Sequence, residues 1–337
     1  MSALLTITIP TFNRAEHLDV LLDSLFAQVN AFKDDIRLVV IDNHSTDDTA
    51  LRCEAWKQKG MPFEYICNAE NIGMARNIIK CFDIAETEYS WTIGDDDVLR
   101  DGTVAHVMGI LKRDRPDLLH FGARTFHWPA SVSERCAVAT INAKFMDAMS
   151  FVRLVNVYMT FLSCLVVRKA TRPTSVDSAR IEQRANSVIP QLSWILDILM
   201  AGTRFCFVPQ RLVLSRIGGS GGYNACETFS TRLVEILDAS ASIRLARAFK
   251  ARTVVKYLPS MIIMMRAQSS GDFSLSDADP AHLKRAYSQC IGYWLFVVPV
   301  TYLPLRLARI PYLVSRLVAK CIGVLDRVDI YLFRLHR

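Results

Sequence analysis

The sequence lacks the patterns of a disulfide framework, a zinc site and a secretory leader. Its nine cysteines are an odd number, and no two of them form a C-x-x-C pair. Cysteines scattered in this way indicate reduced thiols. The first residues, MSALLTITIPTFNR, have no basic segment before the apolar stretch, and polar residues interrupt that stretch. We therefore expect no secretory signal and an N-terminal region that stays in the cytoplasm.

Acidic residues are scarce at the C-terminal end of the chain. From Lys284 to Arg337 there are nine Lys or Arg, two Asp and no Glu, so this segment carries the net charge of +7 that the whole chain carries. The preceding residues are neutral overall. A nucleic-acid-binding protein would have basic residues across its folded domain. The basic, apolar tail therefore indicates a membrane surface and no nucleic acid.

Apolar runs alternate with segments of helical spacing through the first third of the chain. The runs typical of strands cover residues 4–10, 36–43, 63–68 and 89–94. The helical segments cover residues 15–29, 72–86 and 102–113, and STDDT at 45–49 predicts a further helix start with Ser or Thr as its cap. This alternation predicts an α/β fold, a doubly wound and mostly parallel sheet with helices on both faces.

Polar clusters follow three of the predicted strands: PTFNR, DNHST and GDDD. Ligands of such sheets bind beyond the carboxyl ends of the strands. The adjacent carboxylates Asp95, Asp96 and Asp97 raise one another's pKa unless a cation or fixed donors lie among them. One alternative is a solvated turn that caps the next helix. Three polar clusters at one sheet edge favour a shared nucleotide cleft, in which we expect the carboxylate of Asp97 to be exposed.

Four segments in this order, ITIPTFNR, VVIDNHSTDDT, NAENIGMARN and WTIGDDD, resemble the nucleotide-binding half of glycosyltransferase family 2, which has the GT-A fold. The similarity covers about residues 3–125. The later segments TFLSCLVVRK and MAGTRFCFVPQRLVLSR follow the acceptor-side pattern of the family. The layout is most similar to bacterial enzymes that add sugars to lipid-linked O-antigen units, such as abequosyltransferases.

The resemblance implies transfer of a sugar from a nucleotide-diphosphate sugar to a lipid-linked, polyprenyl diphosphate oligosaccharide, with Mn²⁺ or Mg²⁺ as cofactor. Asp97 is similar to the metal-binding acid. Asp96 is similar to the acid that meets the ribose or the metal and counts as catalytic, and Asp95 supports it. Asp42 is similar to the acid that binds the base. The other donor-binding positions are Thr11, Asn13, Arg14, Asn71, Gly73, Arg76 and Asn77.

The expected catalytic base is missing. Inverting members of the family carry an Asp about eleven residues before a Gly on the acceptor helix, and counting back from Gly202 gives Gln191, whose amide cannot act as a base. Asp197 and Glu182 are the nearest carboxylates. In a retaining mechanism the departing phosphate accepts the proton, and the carbonyl of Gln191 stabilises the transition state. Both mechanisms stay open, as do an inactive nucleotide-binding scaffold and a sugar nucleotidyltransferase.

Three regions are predicted. Residues 1–125 form the nucleotide-sugar half of the GT-A domain. Residues 126–230 form the acceptor half with a glycine-rich lid loop, SRIGGSGGYNACE, in which Arg216 contacts a phosphate. Residues 231–337 form a helical, membrane-associating region that holds the protein peripherally at the cytoplasmic face of the bacterial inner membrane.

The tail has two segments of different character. Residues 286–305 carry no charge, but Pro299 and Pro304 argue against a spanning helix. From Pro311 onward, one stripe is apolar and another is basic, which is typical of a helix in the membrane interface. The apolar stripe comprises Leu313, Leu317, Cys321, Ile322 and Leu325, and the basic one Arg309, Arg316, Lys320, Arg327 and Arg334. The alternative is a helix packed on the body with a solvated basic face. We expect the chain before Lys284 to stay folded without the tail.

Overall fold

The computed structural model describes residues 3–126, 135–171, 188–216, 224–267, 276 and 279–322. The chain forms two compact units. The first contains Met1–Asp147 and Met159–Gly219, and the second contains Ala148–Tyr158 and Ser220–Arg337. Several predicted features lie outside the described residues, namely Glu182, the glycines of the lid loop, Leu325, Arg327 and Arg334.

A single sheet of nine strands, counted over the described ranges, organises the first unit. The strands are β1 Leu5–Thr11, β2 Ile36–Asp42, β3 Glu64–Cys67, β4 Tyr89–Thr92, β5 Val98–Leu99, β6 Leu118–Phe126, β7 Lys144–Met146, β8 Leu165–Arg168 and β9 Phe205–Arg216. Their order is β3-β2-β1-β4-β8-β6-β9-β5, with β7 also paired to β9. The first four strands pair in parallel. Beyond β4 the pairing is mixed, because β8 runs antiparallel to both β4 and β6 while β9 runs parallel to β6.

Helices cover both faces of this sheet. They are α1 Ala15–Asn30, α2 Thr49–Gln58, α3 Met74–Asp83, α4 Thr103–Asp114 and, later in the chain, α6 Gln191–Ala201. Along β2, Val40 shares a core with Leu18 of α1 and Val104 of α4, whereas its neighbour Ile41 packs with Cys81 of α3. Successive residues of a strand point to opposite faces, so one strand contributes to both cores. The predicted α/β fold with helices on both faces is confirmed.

The predicted cap of α2 is wrong. The helix begins at Thr49, after Asp48, and the hydroxyls of Ser45 and Thr46 are used elsewhere. Ser45 donates to Asp42, and Thr46 donates to the side chain of Asn13. These hydroxyls therefore stabilise the loops at the sheet edge instead of the helix end.

The second unit is helical. Its helices are α5 Ala148–Val155, α7 Ala225–Glu227, α8 Leu233–Ser240, α9 Ile243–Arg252, α10 Leu258–Ala267, α11 Asp279–Tyr287, α12 Val298–Tyr302 and α13 Leu305–Ile322, with π-helical turns at Thr228–Arg232, Thr253–Tyr257 and Tyr293–Val297. Within the described ranges, no helix combines the length and the apolar character needed to cross a bilayer.

The tail after Lys284 is part of the packed second unit. Tyr287, Val297, Val300 and Ala308 are all fully buried. The Tyr287 hydroxyl donates to the carbonyl of Phe229 at 2.8 Å. Cutting the chain before Lys284 would therefore remove core side chains of this unit, and the expectation of a separable tail is wrong.

All nine cysteines are free, as their scattered positions predict. Cys67, Cys136 and Cys321 are exposed, and the other six are buried. Burial raises the pKa of Cys53 and Cys81 to about 12. The buried thiols are therefore protonated at neutral pH.

Candidate functional site

The acidic triplet lies directly after β4, at the carboxyl edge of the sheet. Asp95 and Asp97 are 5% and 3% exposed, while the side chain of Asp96 is 24% exposed. The expectation that the carboxylate of Asp97 is exposed is therefore wrong. The turn is tight at Gly94, where a Cβ atom would lie 3.2 Å from Asp97 Oδ2. A residue without a side chain lets the carboxylates of this turn point inward.

Two arginines from other parts of the sheet edge pair with Asp95 and Asp96. Arg14, which follows β1, places Nη1 2.9 Å from Asp95 Oδ1 and 3.3 Å from Asp96 Oδ2. Arg216, the last residue of β9, places Nη2 3.3 Å from the same Asp96 oxygen. The structure thus brings Arg14, Arg216 and the acidic triplet together, at the ends of three strands. His17, half-buried on the first turn of α1, lies beside this cluster, and its pKa is lowered by burial and then by the charge of Arg216.

Ser163 holds the most buried carboxylate, and sequence reasoning missed it. Its hydroxyl donates to Asp97 Oδ2 and accepts from the backbone N–H of Gly94 at 2.8 Å. Ser163 belongs to the 3₁₀ turn Leu162–Cys164, which immediately precedes β8. The segment TFLSCLVVRK contains it, but a lone serine next to a strand gives no signal of its own.

Burial is the largest influence on the pKa values of Asp95 and Asp97. It raises the pKa of Asp97 to about 8, although the hydrogen bond from Ser163 opposes this rise and the charge of Asp96 adds to it. Burial also raises the pKa of Asp95 to about 6, against the opposing charge of Arg14. Carboxylates with raised pKa values gain most when positive charge comes close.

The predicted base-binding wall is built around Asp42, at the end of β2. Asp42 Oδ1 accepts from the backbone N–H of Ser45 at 2.9 Å and from its hydroxyl at 2.6 Å. Its other oxygen accepts from the Tyr65 hydroxyl at 2.5 Å. Thr11 lies opposite Asp42 in the register of β1 and β2 and is buried near Asp95. Tyr65 was not predicted, because a tyrosine on a strand reads as a packing residue.

Two asparagines that were predicted to bind the sugar donor form hydrogen bonds that hold the loops at this edge of the sheet. Asn13 has φ 51° and accepts from the backbone N–H of Thr46 at 2.7 Å. Asn71 accepts from the side chain of Asn43 at 2.7 Å and from the N–H of Gly73 at 2.9 Å. Gly73 precedes α3 with φ 85°, a conformation that favours glycine. Contacts of these residues with a donor stay predictions.

The first turns of α3 carry the other two predicted residues. Asn77 is buried, donates to the carbonyl of Ile41 at 3.2 Å and accepts from Asn68 at 3.0 Å. Its amide is thus engaged at both ends inside the protein, which gives it a supporting position. Arg76, one residue earlier, is exposed.

Gln191 is the first residue of α6 and is buried. Its Nε2 donates to the backbone carbonyl of Thr160 at 2.6 Å, and its Oε1 has no hydrogen-bond partner among the described residues. Because a backbone carbonyl can only accept a hydrogen bond, the amide atom that faces Thr160 is the nitrogen Nε2, and Oε1 points the other way. Asp197 is half-buried and lies about 120° around the same helix, so the two side chains leave it in different directions.

Within the described part of the chain, no three His, Cys, Asp or Glu side chains converge as a ready-made metal site. The triplet supplies hard oxygen donors of the kind that Mg²⁺ and Mn²⁺ prefer. Such ions commonly use only one or two carboxylates, and substrate phosphates complete their coordination. The residues therefore fit a cation that arrives with a diphosphate better than one held by the protein alone.

Comparison with known proteins agrees with this geometry. The family model Glycosyl transferase family 2 matches residues 6–169. A relative, abequosyltransferase RfbV of Salmonella typhimurium, is 36% identical over 103 residues, which are 30% of this chain and 31% of the relative. The chain thus matches about a third of that relative's length.

Solved structures share the fold over nearly the whole chain. S. aureus TarS 1-349 in complex with UDP-GlcNAc has a TM-score of 0.57 at 14% identity, covering 96% of this chain and 92% of that one. Mannosyltransferase PcManGT from Pyrobaculum calidifontis in complex with GDP-Man and Mn²⁺ has a TM-score of 0.53 at 15% identity, covering 97% and 88%. The resemblance predicted from the four motifs is confirmed: residues 6–169 form a domain of glycosyl transferase family 2, with the GT-A fold.

Proposed function

We propose that this chain is a glycosyltransferase that moves a sugar from a nucleotide-diphosphate sugar to a lipid-linked, polyprenyl diphosphate oligosaccharide in O-antigen or surface polysaccharide synthesis. The observation that carries the proposal is the cluster of Asp95, Asp96 and Asp97 with Arg14 and Arg216 at the ends of three strands. Carboxylates and guanidinium groups in one place can bind a metal and a diphosphate together.

The similar proteins support the donor and the pathway. TarS was solved with UDP-GlcNAc and PcManGT with GDP-Man and Mn²⁺, so nucleotide sugars occupy this fold elsewhere. The abequosyltransferase similarity supports a role in O-antigen synthesis. A divalent cation would be held by Asp97 and Asp96 and would supply positive charge for the departing diphosphate.

The chain's own residues have defined tasks in this proposal. Arg14 and Arg216 are placed to bind phosphate oxygens, since a guanidinium binds phosphate and carboxylate with the same geometry. Ser163 orients Asp97, and Asp42 with Ser45 and Tyr65 forms the wall for the base. The acceptor is carried by lipid, so we place the protein peripherally at the cytoplasmic face of the bacterial inner membrane, where a soluble donor and a membrane-bound acceptor meet.

Donor binding tests the proposal first. UDP, GDP, CDP and dTDP sugars are screened with Mn²⁺ by thermal shift, because a ligand that binds only the native state raises its melting temperature. We expect one donor to raise it, and Asp97→Asn to abolish the rise. The asparagine oxygen can still accept from Ser163, so the fold should be retained.

The matched control is Asp34→Asn, an exposed acid on the α1–β2 loop. It should keep the donor-dependent rise. A rise that survives both EDTA and Asp97→Asn would refute the cation site, and no response to any donor would refute the transferase. Transfer of labelled sugar to extracted polyprenyl diphosphate glycans then tests the acceptor.

A further inference from the structure

We propose that the outward face of α13 is a docking surface for an anionic lipid bilayer. This deepens the proposed function by naming the surface that holds the protein at its lipid-linked acceptor, and it rests on that function for its biological setting. The evidence is that the surface of α13, Leu305–Ile322, consists of three stripes: one buried, one apolar and exposed, and one basic and exposed.

The first stripe attaches the helix to the second unit. Ala308, Ser315 and Ala319 are buried, and Tyr312 between them is half-buried. Their spacing places them within an arc of about 60°. Mostly small side chains let α13 pack closely against its neighbours. The helix is therefore preformed, so docking does not require a disordered segment to fold.

The second stripe is apolar and exposed. It comprises Leu307, Ile310, Val314, Leu317 and Cys321, which fall within an arc of about 80° that does not overlap the buried one. Leu317 is 62% exposed and Ile310 is 61% exposed. Isolated exposed leucines are common, but a continuous stripe along four turns of one helix indicates an interaction surface.

The third stripe is basic and adjoins the apolar one. It comprises Arg306, Arg309, Arg316 and Lys320, all exposed, with Leu313 among them. The helix contains no Asp or Glu, and none of these four side chains forms an ion pair with a described residue. Arg316 instead donates to the hydroxyl of Tyr312 at 2.9 Å.

Charge and geometry together select the partner. An apolar stripe beside a basic stripe that forms no ion pair with the described residues matches the boundary between acyl chains and anionic headgroups, where the lipid provides a partner for each stripe. The apolar stripe predicted from sequence, Leu313, Leu317, Cys321 and Ile322, is shifted, because Leu313 lies among the basic residues. The structure replaces it with the Leu307 to Cys321 stripe.

The test is co-sedimentation of the full chain with vesicles of phosphatidylglycerol and phosphatidylcholine, or of phosphatidylcholine alone. Leu307→Gln with Leu317→Gln replaces two of the five apolar side chains of the stripe and should weaken binding at least tenfold. Arg309→Gln with Lys320→Gln should weaken it about fivefold per charge, and high salt should remove this difference. The matched control is Ile243→Gln with Arg244→Gln on α9, where Ile243 is 72% exposed, and it should bind like the parent chain.

Each outcome is decisive. Equal loss in the α9 control, or equal binding to both vesicle types, would overturn the proposal. If the α13 variants bind vesicles normally but dissociate a dimer in sedimentation velocity, the occupant is a second copy and the lipid surface is wrong. All variants should keep the donor-dependent thermal shift. Loss of vesicle binding alone therefore separates this inference from a failure of the transferase itself.

Discussion

The side-chain amide of Gln191 donates to the backbone carbonyl of Thr160 at 2.6 Å. Three residues further along, Ser163 donates to Asp97. The start of α6 is thus tied to the short segment that orients the acidic triplet. Gln191 occupies the position where a base was expected from the family resemblance, and here its amide is hydrogen-bonded to the backbone of that segment.

Substitution of Gln191 should reduce turnover without abolishing it. In Gln191→Met, which keeps the volume but not the hydrogen bond, and in Gln191→Ala, we expect turnover to fall roughly 10- to 1,000-fold, because one dipole and one positioning contact are lost. Donor binding should persist. Steady-state kinetics with thermal shift on the same samples measures both.

The anomeric configuration of the product decides the mechanism. Retention of the donor's configuration agrees with a site that lacks a protein base. Asp197→Asn is the control on the same helix and should leave turnover within a few-fold of the parent. Complete loss in Asp197→Asn or in Glu182→Gln, with donor binding intact, would identify a base and establish inversion.

Ser163→Ala should destabilise the first unit by about 1–3 kcal/mol, because it leaves the half-buried N–H of Gly94 and the buried carboxyl of Asp97 without their shared partner. Urea unfolding measures this change. Ser193→Ala is the matched control, since among the described residues the buried Ser193 hydroxyl bonds the carbonyl of Pro190 alone, at 2.7 Å. It should cost about 1 kcal/mol or less. Equal losses in the two variants would show that Ser163 has no special role.

Gly202→Ala should destabilise the protein by about 1–3 kcal/mol through overpacking. A Cβ atom there would lie 2.8 Å from the carbonyl oxygen of Ile198 and 2.9 Å from Asp117. Gly109→Ala is the control, because a Cβ inside α4 meets nothing within 4 Å and alanine is the better helix former. It should stabilise the protein by about 0.5–1 kcal/mol. A neutral Gly202→Ala would contradict the close packing at the end of α6.

Stability should depend on pH through Lys256 in the second unit. Its Nζ donates to the carbonyl of Leu154 at 2.9 Å, and burial, followed by the charge of Arg252, lowers its pKa from 10.5 to about 8. Between these two values the unfolded chain binds more protons than the folded one, so stability rises with pH across this window. Below pH 8 both forms are protonated and the cost of burying the charge is constant.

Lys256→Met is the comparison variant. All other titrating groups are the same in the two chains, so their contributions cancel when one free energy of unfolding is subtracted from the other. The free energy of unfolding of the parent chain, minus that of the variant, should increase as pH rises from 8 to 10.5. Urea titrations at both limits measure it. A difference that stays flat or decreases would show that the ammonium is solvated.

The sequence predicts the first half of the sheet well, because each element there is encoded locally. Apolar runs and helical spacing placed the strands and helices up to α4 within a few residues. The mixed pairing of β8, β6 and β9 joins segments far apart in the chain, and no local pattern specifies such partners. The separable tail failed for a similar reason, since the burial of Tyr287 and Ala308 depends on distant helices.

The site was predictable where a residue's type reveals its chemistry. Arg14, Arg216 and the acidic triplet do meet, because β1, β4 and β9 run in the same direction and therefore end at the same edge of the sheet. The burial of Asp95 and Asp97 was not predictable, since it depends on the turn at Gly94 and on Ser163 in the 3₁₀ turn before β8. The amides of Asn13, Asn71 and Asn77 illustrate the converse: polar side chains near a site also serve to hold its loops.

Because six of the nine thiols are buried, thiol-reactive probes should distinguish between the cysteines of the native protein. A maleimide reacts with thiolate, and groups with a pKa of about 12, such as Cys53 and Cys81, supply almost none at neutral pH. Labelling of the native chain should therefore be confined to Cys67, Cys136 and Cys321. Cys321 lies on the apolar stripe of α13, so in a chain whose Cys67 and Cys136 are replaced by serine, an environment-sensitive fluorophore on Cys321 would report immersion in lipid.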